Sequence, residues 1–449
     1  MTDNRTICAI STPLGNGAIS IIRMSGDRSL EIANTLFKTS KLGDFRDAHA
    51  NMAYYGTFTA PNVSDKCIAI HFKAPHSYTG EDMVEFQCHG GVRLTNEVYI
   101  ALTNAGAEPA TKGEFTKRAF LNGKMSLADA EGVIDMINAE SLAGLKAGYR
   151  LMNGEIAKTI DSLQNTIIDL VSGLEASLDY PDELEEDTKA GGSATLSMLD
   201  TRLTALLATA REGKYIKEGI DVAIIGEPNI GKSSLLNALL KTDRAIVTDI
   251  AGTTRDTLEE KFEVDGIILN LIDTAGIREN TSDAIEEIGV KKAESVAQNA
   301  DLILLIMDAS REMTDDEKRL LSTYSDKKVL RVYNKSDKGI HPSNQKDGNI
   351  FISAKHGEGV DALTHHIVDM FVDENIDSAG SIITSERHVL AIRRALASIK
   401  ACEQSIDYAP IECTLIDLRE AFTALGEVTG KTASEDIIDR VFERFCLGK

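Results

Sequence analysis

Residues Gly226-Glu227-Pro228-Asn229-Ile230-Gly231-Lys232-Ser233 fit the pattern G-x-x-x-x-G-K-[ST], and they restrict the fold more than any other stretch of the chain. An apolar run at 221–225 precedes them and a helical run at 234–240 comes after. A strand, a tight loop and a helix in that order gather backbone N–H groups at a helix N-terminus, which makes a phosphate cradle. Lys232 is expected to reach the β- and γ-phosphates, and Ser233 to offer its hydroxyl to Mg²⁺. Ser234, which opens the helical run, is grouped with them.

The stretch around this loop alternates strands with helices. Strand-like runs at 221–225, 267–272, 302–307, 329–333 and 350–352 call for a mostly parallel sheet. Three more short motifs come after these runs in order. Asp273-Thr274-Ala275-Gly276 puts a carboxylate near Mg²⁺ and a glycine N–H near the γ-phosphate. In Asn334-Lys335-Ser336-Asp337, the Asp337 carboxylate can accept from N1–H and the 2-amino group of guanine; adenine has neither donor. Ser353-Ala354-Lys355 is placed to support the base. Residues 245–256 read as the first switch; Thr248, Asp249, Ile250, Ala251, Gly252, Thr253 and Thr254 within it are counted with the nucleotide site, with Thr254 as the second hydroxyl ligand of Mg²⁺. Together the motifs imply guanine-nucleotide binding and leave little room for an ATPase or kinase. The position after Gly276 is Ile277, which cannot orient a water molecule, so that task falls elsewhere. Glu279, Asp283, Glu286 and Glu287 lie close behind it. The run 426–432 imitates the phosphate loop but is one residue short and comes after a helix-like segment, so it reads as a helix end and turn.

The flanks differ in character. Residues 1–120 read as mixed α/β, with strands at 6–10, 18–24, 67–72 and 83–87. From 121 to 216 the period is helical: Ile160, Leu163, Ile167, Leu170, Leu174 and Leu178 share one face. Pro181 and the acidic run 182–187 are expected to end that helix. Gly191 and Gly192 then mark a loop before a second helix over 194–211. Helical patterning returns over 379–449. The expected fold is therefore α/β plus all-α: an N-terminal α/β domain and a discontinuous helical domain, with an inserted Ras-like P-loop domain at 217–378.

Charge and composition narrow the partners. A formal net charge of −22 argues against a wide grip on nucleic acid. Lys112, Lys117, Arg118 and Lys124 form the one N-terminal basic cluster, which reads equally as a patch for RNA or as a solvated face. No apolar run is long enough to span a membrane and the N-terminus is polar, so a cytoplasmic location is expected. Six cysteines without a C-x-x-C pair read as reduced thiols. Only Cys446 stands apart, and the residues after it suit prenylation poorly. His89 lacks companion ligands and reads as structural.

Across residues 1–449 the chain resembles the bacterial tRNA modification GTPase family MnmE, also called TrmE. The resemblance rests on the nucleotide motifs with Gly252-Thr253-Thr254-Arg255-Asp256, on Ser77-Tyr78-Thr79-Gly80-Glu81-Asp82, on Gly113-Glu114-Phe115-Thr116, and on the terminal Cys446-Leu447-Gly448-Lys449. Leu447 departs mildly from the usual Ile. The resemblance implies K⁺ held by Asn229, Thr248, Ile250 and Thr253, with Arg255 as the in-chain rival for supplying positive charge. It also implies catalysis by Glu286 and a modification role for Cys446. Arg23, Glu81, Lys124 and Lys449 would bind a formyl- or methylene-tetrahydrofolate. A homodimer would work with an FAD-dependent partner, MnmG (GidA), to add an aminomethyl-type or carboxymethylaminomethyl group at C5 of the wobble uridine in certain tRNAs, the tRNA being held largely through the complex. The competing reading is a GTP switch in ribosome assembly or signalling, for which the terminal cysteine and the N-terminal cluster would have no use.

Overall fold

The computed structural model describes residues 5–179, 181–240, 259–273, 297–346, 348–373 and 381–449. They belong to two compact units: Met1–Ile134, Leu151–Asp200 and Ala391–Lys449 in one, Asp135–Arg150 and Thr201–Leu390 in the other.

The first unit opens with a seven-stranded sheet made of β1 (Ile7–Ile10), β2 (Ile19–Ser25), β3 (Phe37–Lys38), β4 (Ala53–Ala60), β5 (Val63–Phe72), β6 (Met83–His89) and β7 (Glu108–Pro109). Its order is β3-β4-β5-β6-β2-β1-β7, antiparallel except for the β1–β7 pair. Helices α1 (Ser29–Leu36) and α2 (Val92–Asn104) contribute Ile32, Val98 and Leu102 to a core that also holds Phe37, Phe58 and Phe86 from the sheet. β4 was not among the expected strands. It alternates Tyr54, Gly56 and Phe58 inward with polar residues outward, and pairs along its whole length with β5. Along the chain come next α3 (Glu114–Leu121), α4 (Leu127–Asn138), α5 (Leu142–Met152) and α6 (Glu155–Asp179), with most of α5 belonging to the second unit.

Ile160, Leu163, Ile167, Leu170 and Leu174 of α6 are buried as their spacing requires, whereas Leu178, near the helix end, is 40% exposed. The expected loop at Pro181–Gly192 is absent. Instead α7 runs from Pro181 to Ala208, and Gly191 and Gly192 lie inside it. Proline at a first helical position loses no internal hydrogen bond. Gly192 is where α7 passes close to a neighbour: a Cβ there would lie 2.9 Å from Ile406 Cδ1. The helix Ile411–Thr429 packs on α6, with Gln164 Nε2 donating to Phe422 O (2.9 Å). Helices from either side of the inserted segment thus form one body, as the discontinuous helical domain requires.

The second unit contains α8 (Ala210–Glu218), β8 (Ile220–Ile225), α9 (Lys232–Leu240), β9 (Glu259–Val264), β10 (Ile267–Asp273), β11 (Leu302–Asp308), β12 (Val329–Asn334) and β13 (Ile350–Phe351). The sheet order is β13-β12-β11-β8-β10-β9, parallel except for the edge strand β9. β11 is buried on both faces through Met307, which explains its unbroken apolar sequence. The turn between β9 and β10 is tied to the start of α5: Leu142 N donates to Glu263 Oε1 (2.9 Å) and Ala143 N to Gly266 O (3.1 Å). In mid-strand, Asn270 Nδ2 donates to Asp221 Oδ1 (2.8 Å) and Glu218 O (3.1 Å). These ties hold β10 in register with β8, so the backbone of Asp273 stands opposite Ile224 at the carboxyl edge of the sheet.

The imitation loop at 426–432 is, as expected, a helix end. Gly430 comes after Thr429 with φ of +89°, and a Cβ there would sit 2.7 Å from Phe120 Cε2 and 2.8 Å from Leu127 Cβ. Gly430→Ala is therefore expected to lower stability by about 2–3 kcal/mol, combining left-handed strain with overpacking. Urea unfolding of the two proteins measures this.

Candidate nucleotide site

Parallel α/β sheets offer ligand sites where the chain leaves the carboxyl ends of neighbouring strands in opposite directions. β8 is such a strand, since β10 and β11 lie on its two sides. The loop 226–231 rises from its end and passes into α9. Asn229 takes φ of +58°, which asparagine tolerates. Gly231 takes φ of +102°, and a Cβ there would lie 2.3 Å from Asn334 Nδ2, so no larger residue fits. Ile230 is buried and anchors the loop from beneath. Lys232 Nζ lies along the loop, donating to Gly226 O (2.8 Å) and Glu227 O (3.0 Å).

Asn334 joins this loop to the base-reading motifs. Its Nδ2 donates to Ile230 O (2.9 Å) and its Oδ1 accepts from Ala354 N (3.0 Å). Lys335 is left-handed (φ +63°), and its ammonium pairs with Asp308 Oδ2 (3.0 Å). Ser353 Oγ donates to Asp337 Oδ1 (2.7 Å). That hydrogen bond, helped by the charges of His356 and Lys355, holds the Asp337 carboxyl below the usual range. An aspartate kept ionised in this way is a ready double acceptor for guanine.

The structure thus brings together residues 229–234, Asn334, Lys335, Asp337 and 353–355, with the Asp273 backbone at the same sheet edge. Thr248, Asp249, Ile250, Ala251, Gly252, Thr253, Thr254, Thr274, Ala275, Gly276 and Glu286 lie outside the described residues. Sequence reasoning missed Glu227, Arg311 and Thr314, which meet beside the loop. Thr314-x-x-Glu317 is a capping box that was legible in the sequence.

In the first unit, Arg23 Nη2 pairs with Glu85 Oε1 (3.1 Å), and its guanidinium lies 5.7 Å from the centre of the Phe115 ring. Its Nε is buried without an acceptor among the described residues. Lys449 is half-buried; burial, then the charge of Arg23, lowers its pKa. The tail is pinned where Ser11 Oγ donates to Gly448 O (3.4 Å). Glu81 Oε2 accepts from Ser25 Oγ (2.7 Å) and Arg118 Nη1 (3.1 Å). Ser25 and Arg23 point to the same face of β2, two residues apart. Lys124 Nζ donates to Pro75 O (2.9 Å), and its chain lies along Gly80. Lys124 therefore lies beside the residue before Glu81, and Lys449 lies near Arg23. Arg118, however, is buried between Glu81 and Glu114, and Lys117 pairs with Asp439, so two of the four charges of the expected basic cluster are met within the protein. The exposed His89 ring hydrogen-bonds Asp65 (2.6 Å). Cys8, Cys67, Cys88 and Cys402 are buried, and burial pushes the Cys8 and Cys402 thiols up to about 12. Cys446 is exposed.

Sheet order, the phosphate-loop motif and an aspartate suited to guanine fit a P-loop protein of the guanine-nucleotide class. A family model for the MnmE helical domain matches residues 127–446, and one for the GTP-binding protein TrmE N-terminus matches 6–124. The tRNA modification GTPase MnmE of Aquifex aeolicus is 40% identical over 450 residues, covering 99% of each chain. That of Streptococcus gordonii is 39% identical over 454 residues, covering 99% of this chain and 98% of the relative. Among solved structures, Aquifex aeolicus Era bound to GDP and aluminium fluoride is 27% identical; the match covers 40% of this chain and 66% of that one at a TM-score of 0.28. The chain belongs to the MnmE family.

Because one buried amide serves both loops, Asn334→Ala should strand Ile230 O and Ala354 N together. GDP affinity is expected to fall by about tenfold or more, at unchanged helix content. Titration calorimetry alongside circular dichroism tests this.

Proposed function

We propose that this chain hydrolyses GTP as part of tRNA modification. The observation that carries the reading is the link from Ile230 through Asn334 to Ala354, with Asp337 held by Ser353: one buried amide joins the loop suited to phosphates to the segment suited to guanine. On GTP binding the Lys232 ammonium exchanges two carbonyls for the β- and γ-phosphates, while amides of residues 229–234 line the phosphates.

The donors suit hard cations. Ser233 and Thr254 offer hydroxyl oxygens and Asp273 a carboxylate for Mg²⁺, and Asn229 with Thr248, Ile250 and Thr253 offers oxygens for K⁺. These cations supply the positive charge that eases cleavage of the γ-phosphate bond. With Ile277 unable to orient water, Glu286 takes that role.

Family membership supports the remaining assignments. Arg23, Glu81, Lys124 and Lys449 hold a formyl- or methylene-tetrahydrofolate; the cations and an orphaned buried Nε at Arg23 suit its carboxylates, and Glu81 its ring N–H groups. Cys446, exposed on a tail pinned at Gly448, serves the modification step. The protein acts as a cytoplasmic homodimer with an FAD-dependent partner at C5 of the wobble uridine. The domains divide at 1–120, 121–216, 217–378 and 379–449.

Purified protein with Mg²⁺ and K⁺ should hydrolyse GTP and leave ATP intact, and Na⁺ in place of K⁺ should slow turnover by about tenfold or more. Phosphate-release assays in the two salts check this, and equal rates would remove the K⁺ role. Cys446→Ser should keep GTP hydrolysis yet abolish wobble modification in cells, as read by nucleoside analysis of tRNA.

A further inference from the structure

Four polar side chains beside the phosphate loop have no part in the chemistry above. Glu227, the second residue of the loop, extends its carboxylate to the segment after β11. Arg311 Nη2 donates to Glu227 Oε2 (2.8 Å), and the Thr314 hydroxyl donates to Oε1. The same guanidinium donates to Glu317, Nη2 to Oε1 at 2.8 Å and Nη1 to Oε2 at 3.3 Å. Glu317 is 1% exposed, so its charge depends on this partner. Thr314 also caps the helix Asp315–Thr323: its hydroxyl accepts from Glu317 N (3.2 Å), while Thr314 N donates to Glu317 Oε2 (2.9 Å). One guanidinium therefore stands between two carboxylates, and one hydroxyl is shared by a helix cap and the phosphate loop.

We propose that Arg311 is a positioning residue that sets the rate of nucleotide release. It ties the leading half of the phosphate loop to the helix cap, and its charge offsets one of the two carboxylate charges of Glu227 and Glu317 beside a site that must accept a polyphosphate. This rests on reading residues 226–233 as the GTP phosphate loop. Asn334 already holds the trailing half through Ile230 O, so the Glu227 anchor completes the loop's support at its other shoulder. Electrostatics acts in the same direction, because the Lys232 ammonium lies 3.0 Å from Glu227 O. The Glu227 carboxylate is thus within about one Debye length, roughly 8 Å, of the group that meets the phosphates, and screening does not erase it.

Two effects separate in variants. Glu227→Gln weakens the anchor but leaves Arg311 on Glu317. Arg311→Gln breaks the anchor and also leaves two bare carboxylates near the phosphates. The double variant lacks the anchor but bares one carboxylate fewer.

Release of a fluorescent GDP analogue from the full-length protein, followed by stopped flow, distinguishes these states. Release is expected about tenfold faster in Arg311→Gln and about threefold faster in Glu227→Gln, with the double variant falling between the two because Glu317 alone is left bare. If Arg311 served only to pack the helix Asp315–Thr323, the double variant would release at least as fast as Arg311→Gln. That order, or a Glu227→Gln rate equal to wild type, overturns the proposal. If Arg311→Gln does not fold, the Glu227→Gln rate alone decides. Wild-type protein with no affinity for GDP would overturn the GTP reading and this inference together, whereas the order of the variants bears on the inference alone.

Discussion

The nucleotide site depends on one buried side chain, the amide of Asn334. A primary amide gives a donor and an acceptor on opposite sides of a plane, and here each meets the backbone of a different loop. Neither loop belongs to a regular element at that point, so neither carbonyl nor N–H has a ladder partner to fall back on. Burial makes the arrangement all-or-none, because an unpaired polar group in the interior costs more than a hydrogen bond contributes. The glycine at 231 is required by the same amide, whose nitrogen occupies the place where a Cβ would stand. Motif spacing in the sequence is therefore a consequence of packing around Asn334 as much as of contact with a ligand.

That dependence explains what could be read in the sequence and what could not. Motifs placed just after a buried parallel strand were legible, because β8, β10, β11 and β12 are largely apolar runs whose ends fix where the next residues emerge. β9 escaped notice since it is an edge strand in which, among residues 260–264, Phe262 and Val264 are the buried ones. α7 escaped notice for a different reason. Proline and paired glycines signal a loop when judged locally, yet proline is free at a first helical position and Gly192 is demanded by Ile406, a neighbour 214 positions away in the chain. Glu227, Arg311 and Thr314 were illegible for the same cause: their meeting depends on where two strands end, which no local pattern encodes. In the N-terminal unit Arg118, read as part of a basic cluster suited to RNA, is consumed by Glu81 and Glu114. A residue type alone does not say whether its charge faces water.

The same distinction governs how an acidic protein can hold an acidic ligand. A net charge of −22 would repel a nucleoside triphosphate if charge acted through the whole molecule. At physiological salt the field of exposed charges dies within roughly 8 Å, so the sign that matters is the local one. Around the phosphate loop that sign is set by pairs: Lys335 on Asp308, and Arg311 on Glu227 and Glu317. Lys232 donates to two carbonyls of its own loop. Asp308 thus has a cation to itself, and Glu227 and Glu317 share one. Affinity for a polyanion then comes from how charges are paired within one Debye length of the loop, and the surplus carboxylates elsewhere can serve solubility without opposing it.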